Sequence, residues 1–260
     1  MSTRDVAADL DLALECAALG ERVAASFFGR ENLHVTSKPD GSPVTIADST
    51  VEEQMRALLM ERRPGDGILG EELGEWGQRR TRWIIDPIDG THNFINVDPA
   101  WAVLIGLQVD GEVTVGVVNA PMLGRRWWAG RGLGAFADGH RMRASATEAL
   151  ARSHYTQRTA RRLRAHSLST HLTERLEQTM GPGGPEFFWA DLLVADGTVD
   201  IDVSLNPKIW DLAARRVILE ESGAKSTDIH GEHRIDTGSS LTANPRLHAA
   251  LLEPAESAFR

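Results

Sequence analysis

Two apolar runs, residues 103–109 and 113–118, flank the dipeptide Asp110-Gly111. Asp-Gly between two β-forming runs predicts a tight hairpin, because its central residues must take φ values that only Gly, Asn and Asp adopt cheaply. The centre of the chain is therefore committed to antiparallel sheet. Upstream the period changes. Val6, Leu10, Leu14, Ala17, Ala24 and Phe27 recur near helical spacing and predict an amphipathic helix over residues 6–28. A second helix is predicted over residues 48–62, with Val51, Met55, Leu58 and Leu59 on its buried side, between turn formers at 38–43 and 64–67. Further strands are predicted at 83–85, 126–129, 199–203 and 241–243. Further helices are predicted at 211–222, stopped by Gly223, and at 247–252. Residues 144–184 carry no readable pattern. The fold class is α+β, a mixed α/β layout of sheets covered by helices.

Composition narrows the function classes. A formal charge of -9 argues against nucleic acid as the main partner. No apolar run reaches about 18 residues, so no membrane span is expected, and residues 1–11 lack the apolar core of a signal peptide. A cytoplasmic protein is expected. The single Cys16 rules out an internal disulfide and a multi-cysteine zinc site, and its helical setting reads as packing. The basic stretch 158–164 reads as a solvated helix face. Gly130-Arg131-Gly132-Leu133-Gly134 lacks the strand–turn–helix setting of a nucleotide site, and Trp127 and Trp128 read as packing at a strand edge. An acidic chain that binds an anion needs local positive charge, and metal ions can supply it.

The acids themselves point the same way. Gly70-Glu71-Glu72 directly follows the apolar pair Ile68-Leu69, which places both carboxylates at a strand end. Asp86-Pro87-Ile88-Asp89-Gly90-Thr91 follows the strand at 83–85, and its two aspartates, held by a proline, can converge on one point. Asp211 opens a predicted helix after Trp210. Magnesium takes hard oxygen ligands of this kind, and one carboxylate can bridge two ions about 3.5–4 Å apart. Gly90-Thr91-His92-Asn93 reads as a helix start whose N–H groups can hold phosphate oxygens. Singly, Glu72 or Asp211 could cap a helix and Asp89-Gly90 could be an ordinary turn; it is the combination that argues for a site.

These segments, with Pro43-Val44-Thr45-Ile46-Ala47-Asp48, the string Trp83-Ile84-Ile85 before Asp86, and Trp210-Asp211-Leu212-Ala213-Ala214, resemble the inositol monophosphatase superfamily of magnesium-dependent, lithium-sensitive phosphatases. The motifs run from residue 38 to 214 in the family's order. Residues 63–72 and 125–132 look most similar to its actinobacterial histidinol-phosphatase branch. The resemblance implies a layered αβαβα sandwich of the inositol monophosphatase / fructose-1,6-bisphosphatase type. It implies one phosphatase unit over 1–260, with most metal ligands in an α+β half, 1–143, and an α/β half, 144–260, completing the metal site and pocket. It further implies a homodimer.

By resemblance, Glu71, Asp86, Asp89, Asp211 and the carbonyl of Ile88 are metal ligands for two or three Mg2+ ions, with Asp86 bridging. Asp48 and Thr91 orient and deprotonate the attacking water, with Glu71 also catalytic. Gly90 and Thr91 bind phosphate. Glu72 contacts the metal through water, and Lys38 comes from a loop approaching it. The implied reaction is direct in-line attack of water on phosphorus, without a phosphoenzyme.

The substrate is less constrained. Relatives carry a Gly-Asp or Gly-Thr-Ala-Ala element before the strand at 199, where this chain reads Gly183-Gly184-Pro185-Glu186-Phe187-Phe188-Trp189-Ala190-Asp191. His92 stands where lysine or threonine is common; it reads either as an exposed first-turn residue or as a substrate contact. These departures suggest an altered leaving-group pocket. Histidinol phosphate, a sugar or cyclitol phosphate or bisphosphate of a secondary pathway, and inositol 1-phosphate all remain open as substrates. So does another class, a non-catalytic metal- or ligand-binding regulator on a phosphatase scaffold, whose sign would be a lost ligand or a broken Asp48–Thr91 pair. All those positions are filled.

Overall fold

The computed structural model describes residues 4–30, 32–165, 168–184 and 189–253. Numbered along the chain, the helices are α1 (Val6–Phe27), α2 (Ile46–Arg62), α3 (Thr91–Ile95), α4 (Gln157–Arg164), α5 (Thr170–Leu176), α6 (Leu192–Ala195), α7 (Ile209–Glu221) and α8 (Pro245–Leu252). The strands are β1 (Val35–Ser37), β2 (Pro43–Thr45), β3 (Gly67–Gly70), β4 (Gly74–Trp76), β5 (Thr81–Asp89), β6 (Ala102–Val109), β7 (Glu112–Ala120), β8 (Arg125–Gly130), β9 (Gly134–Ala137), β10 (His140–Arg141), β11 (Tyr155–Thr156), β12 (Pro182–Gly183), β13 (Ile201–Leu205), β14 (Lys225–Thr227) and β15 (Ser239–Ala243). No helix among the described residues is long and apolar enough to cross a membrane. The chain divides into two compact units, Met1–His140 with Trp210–Val217, and Arg141–Ile209 with Ile218–Arg260.

The first unit is built on a sheet of order β10-β9-β8-β7-β6-β5-β3-β4. Its centre is the hairpin expected from Asp110-Gly111. Both turn residues take positive φ, 52° and 90°, the conformation a two-residue turn between twisted strands requires. One face of this sheet packs on α1 and α2. Val103, Ile105 and Leu107 of β6 and Val115 and Val117 of β7 join Leu12, Ala13, Cys16 and Ala17 of α1 and Val51, Met55 and Leu59 of α2 in a single buried cluster. Helix α1 starts where the Asp5 side chain accepts from the amides of Ala7 and Ala8, and α2 starts in a capping box made by Thr45 and Asp48. On the other face the strands carry glycine. A Cβ on Gly106 would lie 3.1 Å from Ala213 Cβ, and one on Gly116 would lie 2.1 Å from the Ala214 carbonyl oxygen. Those gaps admit the backbone of α7 directly onto the sheet. Trp128 stacks on Phe136 at 5.9 Å. This is packing as expected, but β8 is covered by β9 and so is not the sheet edge.

The second unit holds a sheet of order β12-β11-β13-β15-β14. Ile201 and Val203 of β13 and Leu241 of β15 pack with Leu172 and Leu176 of α5 and Leu247 and Leu251 of α8. Among its described residues, the segment without a readable pattern contains only short pieces, a 3-10 turn at Leu150–Arg152, two two-residue strands and helices of eight and seven residues, too short to print a period. The basic stretch departs from a solvated face. Arg161 and Arg164 are exposed, but Arg158 turns inward and pairs with fully buried Asp202, its Nε 3.2 Å from Oδ1. Arg162 donates to the Leu205 carbonyl at 3.1 Å. A buried carboxylate needs such a partner, and nothing in a run of arginines says which one supplies it.

Candidate active site

The acids at 86 and 89 lie inside β5, not after a strand ending at 85. Asp86 pairs with Leu104 and Asp89 with Ala102, with a register shift between them. Three steps along β5 therefore match two along β6. In an unbroken strand, residues three apart face opposite sides. The extra residue is a bulge, and it returns both aspartates to one side. Pro87, which has no N–H to donate, sits in this interruption where a ladder bond is lost anyway. Asp211 arrives from elsewhere in the same unit, in the first turn of α7. Carboxylate oxygens of Asp86, Asp89 and Asp211 all lie within 4.8 Å of one another.

Glu71 follows β3, which runs parallel to β5 with Gly70 beside Ile85, and its N–H donates to the Ile85 carbonyl at 3.2 Å. Its carboxyl and that of Asp86 are near enough to shift each other's proton affinity. Lys38, in the turn between β1 and β2, places Nζ 2.6 Å from both Glu71 Oε1 and Glu72 Oε1. Burial is the first cause that pushes the Glu71 and Glu72 carboxyls up, Glu72 to about 7; Lys38 opposes it. The ammonium of Lys38 is itself held above its ordinary value: the two glutamates outweigh the opposing effect of burial.

Asp86 is 1% exposed. Burial first, then the charges of Glu71, Asp89 and Asp211, hold its carboxyl well above the ordinary carboxylate range. Its Oδ1 is buried and takes no hydrogen bond among the described residues. Converging carboxylates with an unfilled buried oxygen are the arrangement a cation relieves. The donors are hard oxygens, which suit a hard divalent ion. The residues present therefore fit a metal.

Beside the acids, Thr91 Oγ1 lies 3.1 Å from Asp48 Oδ1 and 3.1 Å from the Ile88 carbonyl oxygen, and can donate to either. The other Asp48 oxygen accepts from the N–H of Thr45 at 2.8 Å and from its hydroxyl at 2.7 Å. Burial raises the Asp48 carboxyl, opposed by these bonds from Thr45 and Thr91. Gly90 holds φ 95° at the start of α3, a left-handed residue that turns the chain sharply out of β5. Phe94 anchors α3 against Trp101 and Phe28, with ring centroids 4.9 and 5.3 Å away. His92 is exposed. Of the altered leaving-group segment, residues 185–188 lie outside the described residues.

One residue escaped the sequence reading. Glu52 of α2 is fully buried and accepts from the amides of Glu72 and Leu73. Its signal was available, since it shares the helical spacing of Met55 and Leu59 on the buried stripe and is charged. The cysteine, by contrast, is as expected: Cys16 is buried and its thiol is pushed up, chiefly by burial.

A model of the inositol monophosphatase family matches residues 6–259. The chain is 40% identical over 258 residues to a histidinol-phosphatase of Mycobacterium tuberculosis, covering 94% of this chain and 96% of that one. It is 35% identical to a histidinol-phosphatase of Streptomyces coelicolor, covering 94% and 95%. Among solved structures, an inositol monophosphatase from Anabaena superposes with a TM-score of 0.77 at 26% identity, covering 98% of this chain and 100% of that one. The α+β fold is shared along essentially the full length, as the resemblance implied. The acidic trio, the Asp48–Thr91 hydrogen bond and these matches together establish that the chain belongs to the inositol monophosphatase family.

Proposed function

We propose that this chain is a magnesium-dependent phosphomonoesterase whose substrate is histidinol phosphate or a close analogue, and that it works as a single phosphatase unit. The observation that carries the metal-dependent reading is the convergence of Asp86, Asp89 and Asp211 within 4.8 Å. Relatives named histidinol-phosphatase at 35–40% identity support the substrate. Asp86, Asp89, Asp211, Glu71 and the Ile88 carbonyl would hold two or three Mg2+ ions. When bound, magnesium supplies Lewis acidity, neutralising phosphoryl oxygens and stabilising the departing alkoxide.

The remaining roles belong to the chain. Thr91 Oγ1 donates to Asp48, which leaves its lone pairs to accept from a water. That water passes its proton to Thr91 as Thr91 passes its own to Asp48. The water oxygen forms a bond to phosphorus, in line with the ester oxygen, whose bond to phosphorus breaks. The departing oxygen takes a proton from a solvent water and leaves as the alcohol, Asp48 gives its proton back to solvent, and the other product is inorganic phosphate. The amides of Gly90 and Thr91 hold phosphate oxygens, Glu72 acts through water, and Lys38 balances the charge of Glu71 and Glu72. His92, one residue past Thr91, is assigned to the leaving-group side.

The test is phosphate release from histidinol phosphate, inositol 1-phosphate, fructose 1,6-bisphosphate and other sugar phosphates, with magnesium and then with chelator. Magnesium-dependent release from histidinol phosphate far above the rest is expected. A sugar phosphate turned over faster would replace the substrate, and no release from any would favour a binding scaffold. The homodimer and a cytoplasmic setting belong to the same proposal; light scattering at twice the 28.4 kDa chain mass would support the dimer.

A further inference from the structure

Beneath the turn that carries Glu71 and Glu72 lies a carboxylate that the reaction above does not use. Glu52 is 0% exposed. Its Oε2 accepts from the Glu72 N–H at 2.8 Å and its Oε1 from the Leu73 N–H at 3.1 Å. Oε1 also accepts from Arg56 Nε at 2.7 Å, one helical turn along α2. Arg56 in turn donates through Nη2 to the Gly74 carbonyl. One ion pair thus grips the backbone at residues 72, 73 and 74.

Gly70 reports how closely the grip is built. It does not adopt positive φ, so its backbone does not require glycine. Its Cβ, however, would lie 1.9 Å from Glu52 Oε1 and 2.2 Å from Glu52 Cδ. The glycine before Glu71-Glu72 is there to admit the Glu52 carboxylate.

Stability alone is a weak account of this arrangement. A buried ion pair often adds little beyond what well-packed apolar residues would. What distinguishes this pair is where its other bonds go. Both partners direct them to one turn, and that turn carries Glu72 and follows directly on Glu71, whose N–H is held by the Ile85 carbonyl next to Asp86.

We infer that Glu52, neutralised by Arg56, is a positioning residue that sets the Glu71–Glu72 turn and thereby the affinity of the acidic site for a divalent cation. This rests on the metal reading given above. An amide at position 52 presents a donor where one carboxylate oxygen accepted, so at least one turn bond is lost. Bonds to a charged group are strong enough that loss of one corresponds to about tenfold or more.

The test is Mg2+ and Mn2+ binding to the full chain by calorimetry, beside thermal melting and phosphate release, for wild type, Glu52→Gln, Gly70→Ala, Asp89→Asn and Asp9→Asn. Asp9 pairs with Arg4 and Arg63 elsewhere in the same unit and reports a purely structural loss. Glu52→Gln and Gly70→Ala are expected to bind cation about tenfold more weakly or worse and to need correspondingly more magnesium for half-maximal release. The substrate KM at saturating magnesium should stay near that of wild type. Asp9→Asn should melt lower with unchanged cation affinity. If Glu52→Gln does not fold, Glu52→Gln with Arg56→Met removes the unpaired buried charge, and the same loss of affinity is expected. Unchanged cation affinity in a folded Glu52 variant overturns the positioning role. A wild type that binds cation no better than Asp89→Asn overturns the metal reading instead.

Discussion

Gly116→Ala tests whether the contact of α7 with the sheet sets the metal site. The new Cβ would lie 2.1 Å from the Ala214 carbonyl oxygen and 2.8 Å from Val217 Cγ1. Close carbon–oxygen contacts run at about 3.3 Å or more, so helix and strand must separate by roughly 1 Å. Overpacking costs about 1–3 kcal/mol, and a main-chain carbonyl has no rotamer by which to move aside, which puts this site near 3 kcal/mol on that scale. For a chain of this length that is a fall in melting temperature of roughly 6–12 °C. Asp211 lies in the same helix, one turn before Arg215 and three residues before Ala214. A shift of about 1 Å there costs on the order of 100-fold in rate. Gly106→Ala is the internal comparison. Its Cβ would meet Ala213 at 3.1 Å, a few tenths short of ordinary contact, so a loss of about 1 kcal/mol and less than about tenfold in rate is expected. Calorimetry and magnesium-dependent phosphate release read both. If Gly116→Ala melts and turns over like wild type, or Gly106→Ala is the worse of the two, the reasoning fails.

Asp89→Asn is expected to abolish magnesium-dependent release while circular dichroism and cooperative melting remain those of a folded chain; full activity would remove Asp89 from the site. In chelated protein, burial pushes the Glu72 carboxyl to about 7 from 4.5, and the carboxyls of Glu71, Asp48 and Asp86 are also raised, chiefly by burial. An acid raised on folding favours the folded state below its unfolded value and loses that contribution as pH climbs through the folded value. The chelated protein should therefore melt lower at about pH 8 than at about pH 5, and magnesium should narrow the gap. A chelated melting temperature that rises across this window would contradict the shifts.

What could be read in the sequence was what local chemistry determines. Asp110-Gly111 announced its hairpin because two consecutive positive-φ residues leave few alternatives. Helices α1 and α2 printed their period because one face of each meets a broad sheet. The acidic motifs were legible as a group because carboxylates directly beside apolar strand residues are costly without a partner. Glu52 was legible only as a charge on a buried stripe; its role was not, because that lies in which backbone amides sit above it, and those come from a turn twenty residues away. Arg158 was misread for the same reason: its partner, Asp202, is 44 residues on. Gly106 and Gly116 carry no local signal for the helix α7 that lies on them, because the approach that requires glycine comes from Ala213 and Ala214, far along the chain.

The six residues from Asp86 to Thr91 act as a folding instruction as much as a set of ligands. A period-2 strand would aim Asp86 and Asp89 apart. The bulge at Pro87-Ile88 brings them together, and the left-handed Gly90 then turns the chain so that Thr91 reaches Asp48. None of these devices relieves the repulsion among the acids; each holds them at a spacing they would leave if free. A cation that fills the site binds the folded chain and not the unfolded one, so its binding must raise stability by mass action. The rigidity of the bulge, the close seat of α7 and the grip of Glu52 thus act on one quantity, how much of the cation's affinity goes into ordering the ligands. Loosening any one of them should appear first in metal affinity, and only afterwards in the chemical step.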